Sequence, residues 1–152
     1  MTTPLNTLYT LGYTGAKPDS ILKFLIAHNA MLVDTRYAPF SRAPIWQKRA
    51  LMDFMKDRYV HMVELGNKNY KGQLGEGIMI ADMDRGTLDL LKILKKQPAV
   101  LLCACPDYHT CHRTTVADEM ADRYSVNVVH LSLTDLTNNP TPPAPPPQLP
   151  LF

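Results

Sequence analysis

The feature that most constrains the fold of this chain is a regular alternation of short apolar runs with amphipathic segments. Five segments have the length and composition of strands: residues 7–13, 31–34, 59–63, 99–103 and 126–131. Four segments with helical periodicity lie between them: residues 18–28, 44–58, 87–96 and 112–124. Strands separated by helices indicate βαβ units. The sequence therefore predicts an α/β fold, a three-layer sandwich around a mostly parallel sheet.

The chain divides into a globular part and a tail. Its 152 residues, 45% hydrophobic and 20% charged, are typical of one globular domain. Seven of the 13 prolines fall between Pro140 and Pro150, and residues 137–152 carry no charge. We therefore expect an α/β domain over residues 1–136 and a disordered Pro-rich tail over residues 137–152. With no apolar run of about 20 residues and no secretory signal, we expect a cytoplasmic protein that does not associate with membranes.

The densest group of reactive side chains lies between a predicted strand and a predicted helix. It contains three cysteines, two histidines and an arginine: Cys103, Cys105, His109, Cys111, His112 and Arg113. Three interpretations are open: a zinc site, a nucleophilic cysteine, or an anion site with His112 as acid or base. A strand running through Cys103 and Cys105 would point them to opposite faces. No tightly held zinc is therefore expected, and no cofactor is predicted.

Polar residues follow two further strands, and parallel strands bring such residues to one edge of the sheet. We predict that Asp34, Cys111 and His112 are catalytic. Five residues are predicted to bind substrate or an anion: Tyr13, Arg36, Ser41, Arg42 and Arg113. Arg36 and Arg113 are expected close enough to share one anion. The aromatic rings of Tyr37 and Trp46 could stack on nucleic-acid bases, although the spacing of Trp46 also suits a core position.

Five short motifs occur in order along the chain. Residues 10–15 read TLGYTG, 33–36 read VDTR with Pro39, Ser41 and Arg42 after them, 59–61 read YVH with Leu65 and Gly66 following, 101–104 read LLCA and 111–113 read CHR. Together they resemble the domain-of-unknown-function family 488, from about Thr7 to Leu131. The resemblance implies a small α/β protein, and the polar motifs of the family suggest an enzyme with no established reaction.

The tail carries a second resemblance. Residues 140–147 form a polyproline stretch, which is extended and semi-rigid. The chain then ends in QLPLF, which resembles the pentapeptide that docks bacterial polymerases and repair proteins on the β sliding clamp. The predicted clamp-binding residues are Gln148, Leu149, Leu151 and Phe152. The alternative is a tail that folds back on its own domain.

Three functions follow from these features. The first is a role in a DNA transaction, repair or replication, in which the β sliding clamp recruits the protein to DNA or a nucleotide. The net charge of +2 is small, but residues 34–71 hold eight basic residues against four acidic ones. The second is a cytoplasmic Cys-dependent enzyme on a small phosphorylated or sulfur-containing substrate, with Cys105 or Cys111 as nucleophile. The third is a non-catalytic DNA-binding adaptor.

Overall fold

The structure, a computed structural model, describes residues 4–138. The predicted clamp-binding residues Gln148, Leu149, Leu151 and Phe152 lie outside the described residues. No helix within residues 4–138 is long and apolar enough to cross a membrane.

A five-stranded sheet forms the centre of the described domain. Its strands are β1 (Leu8–Gly12), β2 (Met31–Asp34), β3 (Tyr59–His61), β4 (Ala99–Cys103) and β5 (Val128–His130). They lie in the order β3-β2-β4-β1-β5, and every pairing is parallel. All residues of β1 and β4 are buried, as expected for a parallel sheet covered on both faces. The predicted α/β fold is therefore confirmed.

Helices cover both faces of this sheet. They are α1 (Pro18–His28), α2 (Lys48–Met55), α3 (Met83–Leu94), α4 (His112–Tyr124) and α5 (Leu133–Asn138). One apolar cluster joins α1, α2 and α5 to the face that carries Leu32 and Leu102. A second joins α3 and α4 to the face that carries Val33 and Leu101. The three layers are thus two helical layers with the sheet between them.

Two predicted helices differ in extent from the observed ones. The predicted helix over residues 44–58 is divided, because Gln47 is extended (ψ 150°) and Lys56 has a positive φ of 55°. The predicted helix over residues 87–96 begins earlier, at Met83, where the side chain of Asp82 accepts a hydrogen bond from the Arg85 amide. The first turns of this helix contain Gly86, and glycine is required at this position because a Cβ would collide with the side chain of Leu65.

The central strand β4 marks the point where the connections change sides. The loops after β1 and β2 lead to helices on one face, whereas the loop after β4 leads to α4 on the other. Open parallel sheets bind ligands at such a point, beyond the carboxyl ends of their strands. The topology therefore directs attention to the ends of β1, β2 and β4.

Candidate functional site

Two groups of polar side chains lie at the carboxyl edge of the sheet. We call the first the aspartate cluster: Tyr13, Asp34, Arg36, Trp46 and Tyr59. We call the second the thiol cluster: Thr35, Cys103, Cys111, His112 and Arg113. Successive residues of a strand point to opposite faces. Asp34 therefore faces the side of α1 and α2, like Leu32, whereas Cys103 faces the side of α3 and α4, like Leu101.

The aspartate cluster is built around a buried ion pair. The Asp34 side chain is fully buried and accepts from Arg36 Nε at 2.8 Å and Arg36 Nη2 at 2.6 Å. The Tyr59 hydroxyl donates to the same carboxylate at 2.5 Å. Arg36 Nη1 donates to the Trp46 carbonyl at 2.6 Å, and its other contact, with the Tyr13 hydroxyl, is 3.3 Å long. Each oxygen of the carboxylate and each nitrogen of the guanidinium thus has a hydrogen-bond partner.

The electrostatics of this cluster follow from that pairing. Burial raises the pKa of the Tyr59 hydroxyl, and the neighbouring charge of Asp34 raises it further. Burial alone would lower the pKa of Arg36, but hydrogen bonding to Asp34 and its charge outweigh burial and raise it. At neutral pH the cluster therefore holds a neutral phenol and one compensated ion pair.

These contacts fix the loop that follows β2. His61 Nε2 lies 2.7 Å from the Arg36 carbonyl oxygen, and the Tyr13 ring stacks on Trp46 at a centroid distance of 4.4 Å. Trp46 is only 6% exposed, so it belongs to the core and is closed to a base. A catalytic role for Asp34 stays a prediction, since the carboxylate is here bound to its own neighbours.

The thiol cluster contains a very short contact between two buried sulfur atoms. Cys103 ends β4, Cys111 immediately precedes α4, and their Sγ atoms are 2.8 Å apart. The Cys105 amide donates to Cys103 Sγ at 3.2 Å, and Arg113 Nη1 approaches the same sulfur at 3.5 Å. Cys103 is therefore surrounded by donors.

This arrangement separates the pKa values of the two thiols. The hydrogen bond from Cys111 lowers the pKa of Cys103 to about 7, against the opposing effect of burial. The same contact, together with burial, raises the pKa of Cys111 to about 12. Cys103 is therefore the more acidic of the two thiols. The sequence instead favours Cys105 or Cys111 as the nucleophile, because a helix N-terminus generally lowers the pKa of a thiol.

The ring of His112 is held by the residue after Asp34. Its Nε2 lies 2.8 Å from the Thr35 carbonyl oxygen and 3.1 Å from Thr35 Oγ1. A carbonyl oxygen only accepts, and the Thr35 hydroxyl already donates to Leu102 O at 2.9 Å. We therefore assign the ring hydrogen to Nε2. The lone pair of Nδ1 is left on the side of Cys111 Sγ, 3.8 Å away.

Together these residues bring three possible metal ligands into one place. The ligand atoms of Cys103, Cys111 and His112 all lie within 4.8 Å of one another. The reason for expecting no zinc concerned Cys103 and Cys105, but β4 ends at Cys103 and the observed partner is Cys111. Cys105 lies apart, and its thiol contacts the Asp107 carbonyl. The premise of that expectation therefore does not apply.

Arg113 lies deep in the thiol cluster. It is 1% exposed, and its Nη1 donates to the Cys105 carbonyl at 2.6 Å. Its Nε has no hydrogen-bond partner within residues 4–138. The partners of Arg36 lie on the opposite face of the sheet, so the structure does not bring the two arginines into one anion site. The prediction that the two arginines share one anion is therefore not supported, because Asp34 and Cys103, which they contact, point to opposite faces of the sheet.

Exposed aromatic and basic residues lie in the loops after β2 and β3. We call them the aromatic rim: Tyr37, Phe40, Arg42, Tyr70 and Lys71. The three aromatic residues are 40%, 75% and 52% exposed. The rings of Tyr37 and Tyr70 lie 6.1 Å apart, and Lys71 Nζ lies 5.7 Å from the centre of the Tyr70 ring. The sequence suggested only Tyr37; Phe40 and Tyr70 were missed because long loops give no periodic signal.

The remaining predicted residues lie in the loop that carries this rim. Arg42 is exposed, and Ser41 Oγ accepts from the Ala43 amide at 3.2 Å. A separate open pocket of about 440 Å³ lies at the opposite edge of the sheet, lined in part by Asn29, Met31 and Gln97. It contains none of the predicted site residues.

Comparison with known proteins places the chain in a family. The family model described as domain of unknown function DUF488 matches residues 18–120. The chain belongs to the DUF488 family. The match includes every residue of the thiol cluster and every residue of the aspartate cluster except Tyr13. No curated protein and no solved structure matches the chain.

Proposed function

We propose that this DUF488 protein binds DNA through the aromatic rim and acts in replication or repair. The observation that carries the proposal is the exposure of three aromatic rings in loops that also carry the exposed Arg42 and Lys71, at the edge of the sheet where ligands bind. Large apolar side chains at the surface of a domain commonly mark an interaction site.

The rim suits unpaired bases in particular. Stacking of a base on an aromatic ring contributes about 1–3 kcal/mol and is tolerant of sequence. Cations next to the rings neutralise phosphates, which gives salt-dependent affinity. Lys68 is exposed in the same loop as Tyr70 and Lys71, so three of the eight basic residues of residues 34–71, Arg42, Lys68 and Lys71, lie in the loops of the rim.

Recruitment by the β sliding clamp completes the proposal. A net charge of +2 supports only modest affinity for DNA. A tether that binds the clamp would supply a high effective concentration of DNA without further basic residues. The proposed clamp ligands are Gln148, Leu149, Leu151 and Phe152, with the two leucines and the phenylalanine as hydrophobic anchors.

A Cys-dependent enzyme with Cys111 as nucleophile has weaker support. Cys111 is 4% exposed, and its pKa is raised to about 12. An attacking thiolate has to be accessible and ionised. A catalytic role for His112 and anion binding by Arg113 stay predictions, since Nε2 of His112 is bound to the Thr35 carbonyl and Arg113 is buried.

DNA binding is tested by fluorescence anisotropy with labelled single-stranded and double-stranded oligonucleotides. We expect Phe40→Ala and Tyr70→Ala each to weaken single-strand binding by roughly fivefold or more, because each removes one stacking platform. Lys71→Ala is expected to lower the salt slope by about one. The matched controls are Leu88→Ala and Lys96→Ala, which alter exposed residues on or just after α3, away from the rim.

Equal losses in the rim variants and in the α3 controls would contradict a specific rim. No detectable binding to either oligonucleotide would contradict DNA binding by the domain itself, and it would leave the clamp as the proposed partner.

Clamp binding is tested by co-elution of the purified protein with β clamp. We expect replacement of both Leu151 and Phe152 by Ala to abolish a micromolar-class contact, since burying two such side chains contributes roughly 3–6 kcal/mol before ordering costs. Pro150→Ala, at the variable position of the pentapeptide, is the matched control and should keep binding. A double variant that still binds the clamp, or one with a lowered melting temperature, would refute the pentapeptide interpretation.

A further inference from the structure

The thiol cluster has a feature that DNA binding does not explain. Three side chains that commonly bind metals converge on one point, although they come from two elements and include two buried thiols. Free buried thiols need no such convergence, because a buried cysteine otherwise packs as a small apolar residue. The elements that bring them together are the end of β4 and the start of α4.

We propose that Cys103, Cys111 and His112 bind one zinc ion, through the two sulfur atoms and the Nδ1 nitrogen of the imidazole. Thiolate and imidazole are the usual protein ligands of zinc. Within residues 4–138, these three side chains form the group of His, Cys, Asp and Glu residues whose ligand atoms lie close enough together to hold a metal ion.

The hydrogen bonds around His112 support this assignment independently of the thiols. A histidine that binds a metal through one nitrogen generally donates from the other to a carbonyl or carboxylate. The Thr35 carbonyl oxygen takes this position, 2.8 Å from Nε2. This contact fixes the tautomer and leaves Nδ1 as the ligand atom on the side of Cys111.

The surroundings of Cys103 are those of a ligating thiolate. The Cys105 amide and Arg113 Nη1 both direct N–H groups at its sulfur. Two thiolates balance the double charge of the ion, so the buried site would add no net charge beside Arg113. Zinc binding releases the proton of Cys111, and that of Cys103 where it is present, to solvent.

The geometry needs one small adjustment. Zinc–sulfur bonds of about 2.3 Å place two tetrahedral sulfur ligands roughly 3.8 Å apart, whereas the observed Sγ atoms are 2.8 Å apart. The distance between the two Sγ atoms would therefore have to increase by about an ångström on metal binding. Three protein ligands leave a fourth coordination position, as in zinc sites that bind water or a substrate, and the cluster lies where such folds bind ligands.

The experiment titrates Co²⁺ and Zn²⁺ into the reduced, metal-free, full-length protein. We expect one ion per chain and thiolate-to-cobalt charge-transfer absorption that zinc abolishes. Cys111→Ser and His112→Gln should each weaken zinc binding by roughly tenfold or more, which is the scale of losses from outer partners alone. The chain supplies two matched controls in the same loop, Cys105→Ser and His109→Gln, which should leave affinity and absorption unchanged.

Three results would overturn the proposal. They are the absence of stoichiometric binding, cobalt absorption without sulfur charge transfer, and an equal loss of affinity in Cys105→Ser. Circular dichroism melts of each variant establish that a loss of binding occurs in folded protein. In addition, zinc should raise the melting temperature of the unmodified chain and of both controls but not of Cys111→Ser. An equal rise in Cys111→Ser would also refute the site.

Discussion

The aspartate cluster and the thiol cluster lie at the ends of the adjacent strands β2 and β4, yet they use their polar groups differently. In the first, Asp34 neutralises Arg36, from which it accepts three hydrogen bonds, and it accepts a fourth from Tyr59. In the second, no carboxylate within residues 4–138 pairs with Arg113, and the Nε atom of Arg113 has no hydrogen-bond partner in that range. Both arginines are nevertheless buried.

The difference indicates which cluster holds the fold and which is available for a ligand. A buried polar network in which every group is bonded rigidifies its surroundings, whereas an incompletely satisfied one is costly unless it has a function. The aspartate cluster fixes the loop after β2, and through Thr35 that loop orients His112. The aspartate cluster thus supports the thiol cluster on the other face of the sheet.

The largest effect on stability is expected from a substitution in the aspartate cluster. Asp34→Asn should lower the free energy of unfolding by about 3–5 kcal/mol, because it leaves the buried Arg36 cation without a counter-charge. Urea denaturation measures this loss. Tyr59→Phe is the graded comparison, since it removes only one hydrogen bond to the carboxylate and should cost about 1.5–3 kcal/mol. An Asp34→Asn protein as stable as the unmodified chain would remove the structural role assigned to this pair.

A smaller effect is expected in the thiol cluster. Cys111→Ala in the reduced, metal-free protein should cost about 0.5–3 kcal/mol, the range that spans one hydrogen bond to a neutral and to an ionised sulfur. The same denaturation experiment gives this value. A cost as large as that of Asp34→Asn would show that both clusters are structural, and the distinction drawn between them would fail.

The sequence predicts the strands and helices better than it predicts the two side-chain clusters, because strands and helices depend on local patterns. Apolar runs such as residues 99–103 and the helical pattern of residues 18–28 and 112–124 are local signals, and these elements form with the predicted bounds. The division of the helix predicted over residues 44–58 depends on the backbone at Gln47 and Lys56, which periodicity does not reveal.

Within the site, the set of residues could be predicted but not their pairing. The sequence places Asp34, Arg36 and Arg113 near one edge, but the face that each one occupies depends on where β2 and β4 end. Likewise, the contact of Cys103 with Cys111 depends on the path of the seven residues between them. The aromatic rim is a tertiary property, because Tyr37 and Tyr70 belong to loops after different strands.

The smallest effect tests whether Arg113, which pairs with no carboxylate within residues 4–138, acts electrostatically on its neighbours. His130, at the end of β5, stacks on Tyr108 and contacts Thr10 Oγ1 at 2.7 Å. Burial lowers the pKa of His130, and the charge of Arg113 lowers it further, while Asp118 acts in the opposite direction and His109 adds a minor lowering effect.

The sign of the pH dependence follows from this lowered pKa. Between the folded pKa and the unfolded value of about 6.5, the unfolded chain binds a proton at His130 that the folded chain does not. The contribution of His130 to stability is therefore fully present above pH 6.5 and is lost as the pH falls below it. Titration of the ring by NMR measures the folded pKa directly. Asp118→Asn should lower it further, and Arg113→Met should raise it, whereas Arg85→Met, which alters an exposed arginine on α3, should leave it unchanged. A pKa that rises equally in the Arg113 and Arg85 variants would mean that the charge of Arg113 has no specific effect on His130, and the contrast with the aspartate cluster would then rest on hydrogen bonds alone.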